Sequence, residues 1–169
     1  MIEAVFTKFS ADKLEQLNSR IQDCLKKLSY EQVWRRNSDN ENSIGNLVLH
    51  LCGNVNQWIG SGVAGKPDTR VRDREFAARG DVEPTELGQR LASTVDEVVK
   101  IIRSLTPERL GEQTTIQKYT ITVLEAVYHV VEHFAQHTGQ IMFATKLLTG
   151  QDLGYYKHLT KPAHFETTP

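Results

Sequence analysis

Tyr128-His129-Val130-Val131-Glu132-His133-Phe134-Ala135-Gln136-His137-Thr138-Gly139-Gln140-Ile141 decides the reading of this chain. It holds three of the six histidines, four residues apart. Residues four apart in a helix lie one turn above each other on one face. His129, His133 and His137 therefore form a stripe, which Gln140 continues. A one-turn pair of histidines can share one metal ion, as in the HExxH helix. The competing reading is a polar surface stripe or a set of hydrogen-bonded buried histidines. Three in register favour the metal.

The same helix carries a broad apolar face beside the stripe: Leu124, Val127, Val130, Val131, Phe134, Ile141 and Leu148. The histidines thus flank the core side. Ala126 and Ala144 lie on the stripe and let other groups approach it. One ion cannot take all three histidines, because His129 and His137 are about 12 Å apart along the axis while metal–nitrogen bonds are near 2 Å. One adjacent pair is expected to ligate, with a third ligand from elsewhere. His50 is the only histidine on another expected long helix, at the edge of that helix's apolar face.

Helical signals extend along the rest of the chain. Leu14, Leu17, Ile21, Leu25 and Leu28 place a first helix ending at about Leu28. Apolar residues 2, 5, 6 and 9 are out of phase with that set. Ser29-Tyr30-Glu31-Gln32 is a capping box that opens a short helix around Val33 and Trp34. Asn42 or Ser43 caps a second long helix, carried by Ile44, Leu47, Val48, Leu51, Val55 and Trp58 and closed near residues 60–62. Residues 65–82 read as a charged loop. Pro84 suits the first position of a third long helix, which Leu87 to Leu105 carry. Thr106 to Gly111 reads as one capped helical turn. Residues 114–116 and 119–121 are β-prone and could form a small ribbon. Thr122-Val123-Leu124-Glu125, a capping box, starts the fourth long helix, which ends near Gly150. The tail, with Tyr155, Tyr156, His158 and His164, is expected to be irregular.

The fold expected is all-α: one domain over residues 1–169, a four-helix bundle with a possible β-ribbon before the last long helix. A formal charge of −1 gives no footprint for nucleic acid or an anionic membrane. No apolar stretch approaches the ~20 residues of a membrane span, and the first residues do not read as a signal peptide. Cys24 and Cys52 read as reduced thiols of a cytoplasmic protein. Cys52 lies about 200° round the helix from His50, so the two should not share an ion.

Leu47-Val48-Leu49-His50-Leu51, taken with His133-Phe134-Ala135-Gln136-His137-Thr138-Gly139-Gln140-Ile141, resembles the DinB-like superfamily. That superfamily includes YfiT-type metal-dependent hydrolases and thiol-dependent S-transferases. The HxxxHxGQ signature carries the resemblance, and helix number and length agree across nearly the whole chain. It implies a metal held by one histidine of the second long helix and two of the fourth: His50, His133 and His137. His129 would then belong to the pocket. The resemblance also implies a homodimer, for which the out-of-phase apolar residues 2–9 give a second reason.

Three neutral imidazoles leave open coordination positions, the arrangement of catalytic sites. They suit a divalent transition metal such as zinc, nickel or iron. The expected function is therefore a metal-dependent transferase or hydrolase. In it a metal-activated water or low-molecular-weight thiol attacks a small electrophile. The alternative is a non-catalytic metal-binding or stress-related dimeric bundle. Glu132 is a candidate general base and Gln140 a candidate partner to a ligand imidazole. Arg70, Arg72 and Arg74 could bind an acidic group, although a solvated loop is the simpler use for them.

Overall fold

A computed structural model describes residues 1–80, 82–160 and 168. His164 lies outside the described residues. Four long helices form the body: α1 (Ile2–Leu25), α3 (Ile44–Val55), α5 (Pro84–Arg103) and α7 (Val123–Thr149). Short helices α2 (Tyr30–Trp34), α4 (Arg72–Ala77) and α6 (Pro107–Gly111) lie in the connections. Strands β1 (Gln113–Ile116) and β2 (Tyr119–Thr122) make one antiparallel ribbon just before α7. The architecture is all-α with a small ribbon.

The helix boundaries follow local chemistry. Ser29, Ser43 and Thr122 each accept a bond from a backbone N–H three residues on, and Gln32, Asn46 and Glu125 return it. These reciprocal pairs satisfy N–H groups that a helix start leaves orphaned. Gly150, with φ of 66°, closes α7 in the left-handed conformation that glycine adopts without strain. The first helix stops at Leu25 rather than at Leu28. Leu28 is still buried, but it reaches the core from a turn.

α1 packs against α5 and α7, and α3 packs against the same two. The order round the bundle is therefore α1, α5, α3, α7. Two connections, α1 to α3 and α5 to α7, run across the diagonal. They contain α2 and α6, and their length makes that crossing possible. The core between the four helices includes Leu14, Ile21, Leu51, Leu91, Phe134 and Ile141, all fully buried. Of the out-of-phase residues on α1, Phe6 packs on this core, while Ile2, Val5 and Phe9 are exposed. Among the described residues, no helix is long and apolar enough to cross a membrane.

Two features depart from the periodicity. α3 runs on without a break into a π-helical segment, Asn56–Ser61, which contains Trp58. Such widened turns occur mostly where a helix serves a site. The charged loop at residues 65–82 also contains α4. Six residues are too few to show a period. Polar contacts hold this helix in place: the Asn46 side chain donates to the carbonyls of Glu75 at 2.8 Å and Ala78 at 3.0 Å.

Phe134 has no exposed surface and sits on α7 next to His133 in sequence. Phe134→Ala should destabilise the protein by about 3–5 kcal/mol, through lost burial and the cavity left behind. Urea unfolding measures this. A loss under about 1 kcal/mol would show that the site is not tightly packed.

Candidate metal centre

α3 and α7 bring His50, His133 and His137 together, and one nitrogen from each lies within 4.8 Å of the other two. His50 Nε2 is 3.1 Å from His133 Nε2, and His137 Nε2 is 3.2 Å from it. Two nitrogens on a tetrahedral zinc ion, each at ~2.0 Å, would be roughly 3.3 Å apart. His50 is buried; His133 and His137 are partly buried. These three histidines could hold a metal ion. Among the described residues, no fourth histidine, cysteine, aspartate or glutamate joins the group. Cys52 is outside it.

Hydrogen-bond partners assign the tautomers. His50 Nδ1 lies 2.9 Å from Glu75 Oε2, which can only accept, and 3.0 Å from Arg70 Nη2, which already donates to the same carboxylate oxygen at 2.8 Å. The proton on Nδ1 gives the carboxylate a second donor and leaves Nε2 a lone pair. His137 Nδ1 lies 2.7 Å from Gln140 Oε1, with the same consequence. His133 Nε2 therefore faces two lone pairs. Its Nδ1 is buried and has no partner. If His133 carries its proton on Nδ1, that donor is orphaned and three lone pairs point at one another. If it carries the proton on Nε2, one neighbour is satisfied and Nδ1 becomes an orphaned acceptor. With the proton on Nδ1 the three Nε2 lone pairs converge, and a cation between the rings would relieve that repulsion; the Nδ1 atom of His133 lacks a partner in either tautomer. The donor set thus fits a divalent transition metal.

Burial, and then the charges of His137, His50, His129 and Arg70, push the His133 imidazole down to about 3. Burial also lowers His137 and His129. Near neutral pH His133 and His137 stay unprotonated, the form that ligates metal.

Glu75 is the residue that periodicity missed. It is 8 % exposed and receives Arg70 at both oxygens, Nε to Oε1 and Nη2 to Oε2, each at 2.8 Å. Burial alone would raise its carboxyl. The hydrogen bonds from Arg70 and His50, with the charge on Arg70, outweigh burial and hold it below the usual carboxylate range. Arg70 continues to Gln57 Oε1 at 2.9 Å, which also accepts from Gln117 in the β1–β2 turn at 2.6 Å. Gly53 makes room for this clamp, since a Cβ there would lie 1.9 Å from Glu75 Oε1. The signal available in the sequence was a glutamate five residues after an arginine. Nothing local says that such a pair is buried.

His129 does not join the ring of three. Its imidazole stacks on Trp58 at 4.0 Å between centroids. Glu132 is exposed and accepts from Gln136, so it does not contact the three histidines. Beside the cluster is a cavity of about 520 Å³, walled by His50, His133, His129, Trp58 and Tyr119, with Arg72 at its edge. The ribbon supplies one side of it. Its turn, Gln117-Lys118, has positive φ at both residues, 51° and 71°. That geometry matches strand twist but normally uses Asn-Gly. A second hollow of about 540 Å³ lies near Gln140, Leu147 and Gln32.

The chain belongs to the family DUF1572, described as a protein of unknown function, whose profile matches residues 2–163. A conserved protein from Enterococcus faecalis superposes with a TM-score of 0.71 at 16% identity, over 86% of this chain and 98% of that one. A DinB-like protein from Bacillus subtilis, YjoA, superposes with a TM-score of 0.66, also at 16% identity, over 87% of this chain and 96% of that one. No curated protein matches the sequence. At such identities the likeness shows the fold, which is DinB-like.

Two predictions follow from the geometry. Glu75→Gln should weaken metal binding about 10–100-fold, because the carboxylate that orients His50 is lost. Competition against a chromophoric chelator measures this, and unchanged affinity would deny Glu75 the role. The second concerns pH. An unfolded histidine takes its proton near the ordinary value of 6.5, while folded His133 resists until about 3. Below about pH 6.5 the unfolded state therefore binds more protons, and stability must fall as pH falls. The melting temperature of the metal-free protein should drop between about pH 7.5 and about pH 5. A flat profile over that range would contradict the burial of these rings.

Proposed function

We propose that this DUF1572 protein binds one divalent transition metal through His50, His133 and His137, and uses it in transferase or hydrolase chemistry on a small electrophile. The observation that carries the reading is the convergence of three imidazole Nε2 atoms, two of them stripped of their protons by Glu75 and Gln140. An ion with open positions supplies Lewis acidity toward a water or a small thiol.

The protein's own groups have separate tasks. Glu75 holds the proton on His50 Nδ1, and Arg70 keeps that carboxylate ionised. Gln140 does for His137 what Glu75 does for His50, but from an exposed position. Burial keeps His129 neutral against the Trp58 ring in the cavity wall. A neutral imidazole there is placed to accept a proton from a nucleophile entering beside the cluster. Trp58 and Tyr119 line the approach and limit the water that enters with a substrate.

Purified protein should contain about one divalent transition-metal ion per chain by elemental analysis. His137→Ala should lose most of it. His129→Ala should retain it, since His129 stands outside the cluster. Full metal content in His137→Ala would overturn the assignment. So would loss in His129→Ala with retention in His137→Ala.

A further inference from the structure

Arg72 and Arg70 are two residues apart and lead different lives. Arg70 is buried, and its charge is cancelled by two bonds to Glu75. Arg72 is exposed at the edge of the same cavity and has no carboxylate partner among the described residues. It is not simply adrift in solvent, however. Its guanidinium lies 4.7 Å from the centre of the Phe76 ring, and Phe76 in turn lies 4.8 Å from the His50 ring. This stack holds a positive charge two ring contacts from a candidate metal ligand. Stacking on Phe76 leaves the guanidinium edge, with its parallel N–H groups, available to a guest.

The charges around the cavity favour an anion. The three histidines are neutral as ligands, so a bound divalent ion keeps its full charge. Arg70 is neutralised. Glu125 is the one acidic side chain in the cavity wall among the described residues, and one of its oxygens is engaged by the Thr122 backbone and hydroxyl at 2.7 and 2.8 Å. The wall carries ring and aliphatic surface from Trp58, Tyr119 and Ile121. It also holds two buried polar atoms without a protein partner, Trp58 Nε1 and Asn54 Oδ1. A volume of about 520 Å³ lies in the range of small-molecule sites. A single guanidinium edge suits a carboxylate, which takes two parallel hydrogen bonds. Phosphate sites typically add a nest or a helix N-terminus, and no such element is needed to explain the Arg72 edge.

We propose that this cavity binds a small organic molecule bearing a carboxylate, held by Arg72, with its reacting end at His50 and His133, the two members of the cluster that line it. The inference rests on the metal-binding reading above and adds the charge and placement of the guest.

The test uses the full chain loaded with cobalt(II), whose visible absorption changes when a thiolate becomes a ligand. Three probes of similar size are titrated: 3-mercaptopropionate, 2-mercaptoethanol and cysteamine. Cysteamine has the most acidic thiol, so thiolate supply alone favours it. The expected order is the reverse: 3-mercaptopropionate should bind about tenfold more tightly than cysteamine, the scale of one charge-assisted contact. Arg72→Gln should cut the preference severalfold, leaving only what the charge of the ion itself supplies, and leave 2-mercaptoethanol unchanged. The cobalt spectrum of that variant before thiol is added checks that the site is intact. Equal binding of the three probes by the unaltered protein would overturn this inference alone. So would a preference that Arg72→Gln leaves undiminished. Failure to bind cobalt, or a cobalt spectrum that no probe alters, would overturn the open metal site and this inference with it.

Discussion

The site depends on one buried carboxylate. Glu75 is held from one side by Arg70 and in turn holds His50 from the other. Charge burial is costly, so a lone carboxylate at 8 % exposure would neutralise itself. Arg70 prevents that with a two-point bond whose own donors are also consumed. The carboxylate then stays an acceptor, and His50 must give it the Nδ1 proton. Only that tautomer turns an Nε2 lone pair toward His133. The face that could hold a metal ion is thus set by an ion pair outside the group of three histidines. Such a buried pair is weak evidence for extra stability, because desolvation offsets much of the attraction. Its value lies in fixing a proton.

The way the clamp is housed explains several otherwise separate features. α4 is short and polar, and packing alone would not order it. Asn46 pins it by two carbonyls, and Asn46 is also half of the capping box that starts α3. The residues that begin the helix carrying His50 therefore also fix the segment that carries Glu75. Gly53, one turn beyond, has no side chain because the Glu75 carboxylate occupies that space. Gln57, another turn on, joins Arg70 to Gln117 of the ribbon. Along one face of α3, successive turns serve the cap, the ligand, the clearance and the link. The strained turn at Gln117-Lys118 fits this account. Its left-handed residues cost on the order of 1–2 kcal/mol each, and the link to Gln57 is one return.

Much of this was legible in the sequence, and the boundary has a physical basis. Four long amphipathic helices, their capping boxes, the ribbon and the histidine stripe are all local or periodic signals. Each can be read from residues within a turn or two of one another. His50 was legible as a histidine at the edge of an apolar face, and resemblance assigned it a role. Glu75 was not legible, because the burial of a charged residue depends on partners 5 and 25 positions away. A six-residue helix is shorter than two turns and leaves no period to detect. The π-helical turn around Trp58 was likewise hidden, since it shifts the phase of a helix whose apolar pattern continues. The diagonal order of the long helices depends on which faces pack together, and amphipathicity alone fits more than one such arrangement.

The division of labour between rigid and irregular segments follows from these constraints. The three histidines stand on two long helices packed side by side, where a ligand atom can be held to the tolerance that coordination demands. The groups that surround the approach come from elsewhere: Arg72 from α4, Tyr119 and Ile121 from the ribbon, Trp58 from the π-helical turn. α4 is pinned by polar contacts from Asn46, whereas Trp58 and Ile116 anchor the π-helical turn and the ribbon in the hydrophobic core. Function generally concentrates on such connections above a fixed scaffold. In this protein the scaffold places the three histidine nitrogens, and the connections supply much of the cavity wall beside them. The clamp joins the two, because Arg70 and Glu75 lie in a connection yet contact His50 of the scaffold. A change in that segment therefore alters both the cavity wall and the hydrogen bonding of His50, whereas a change in the ribbon reaches His50 only through Gln117, Gln57 and Arg70.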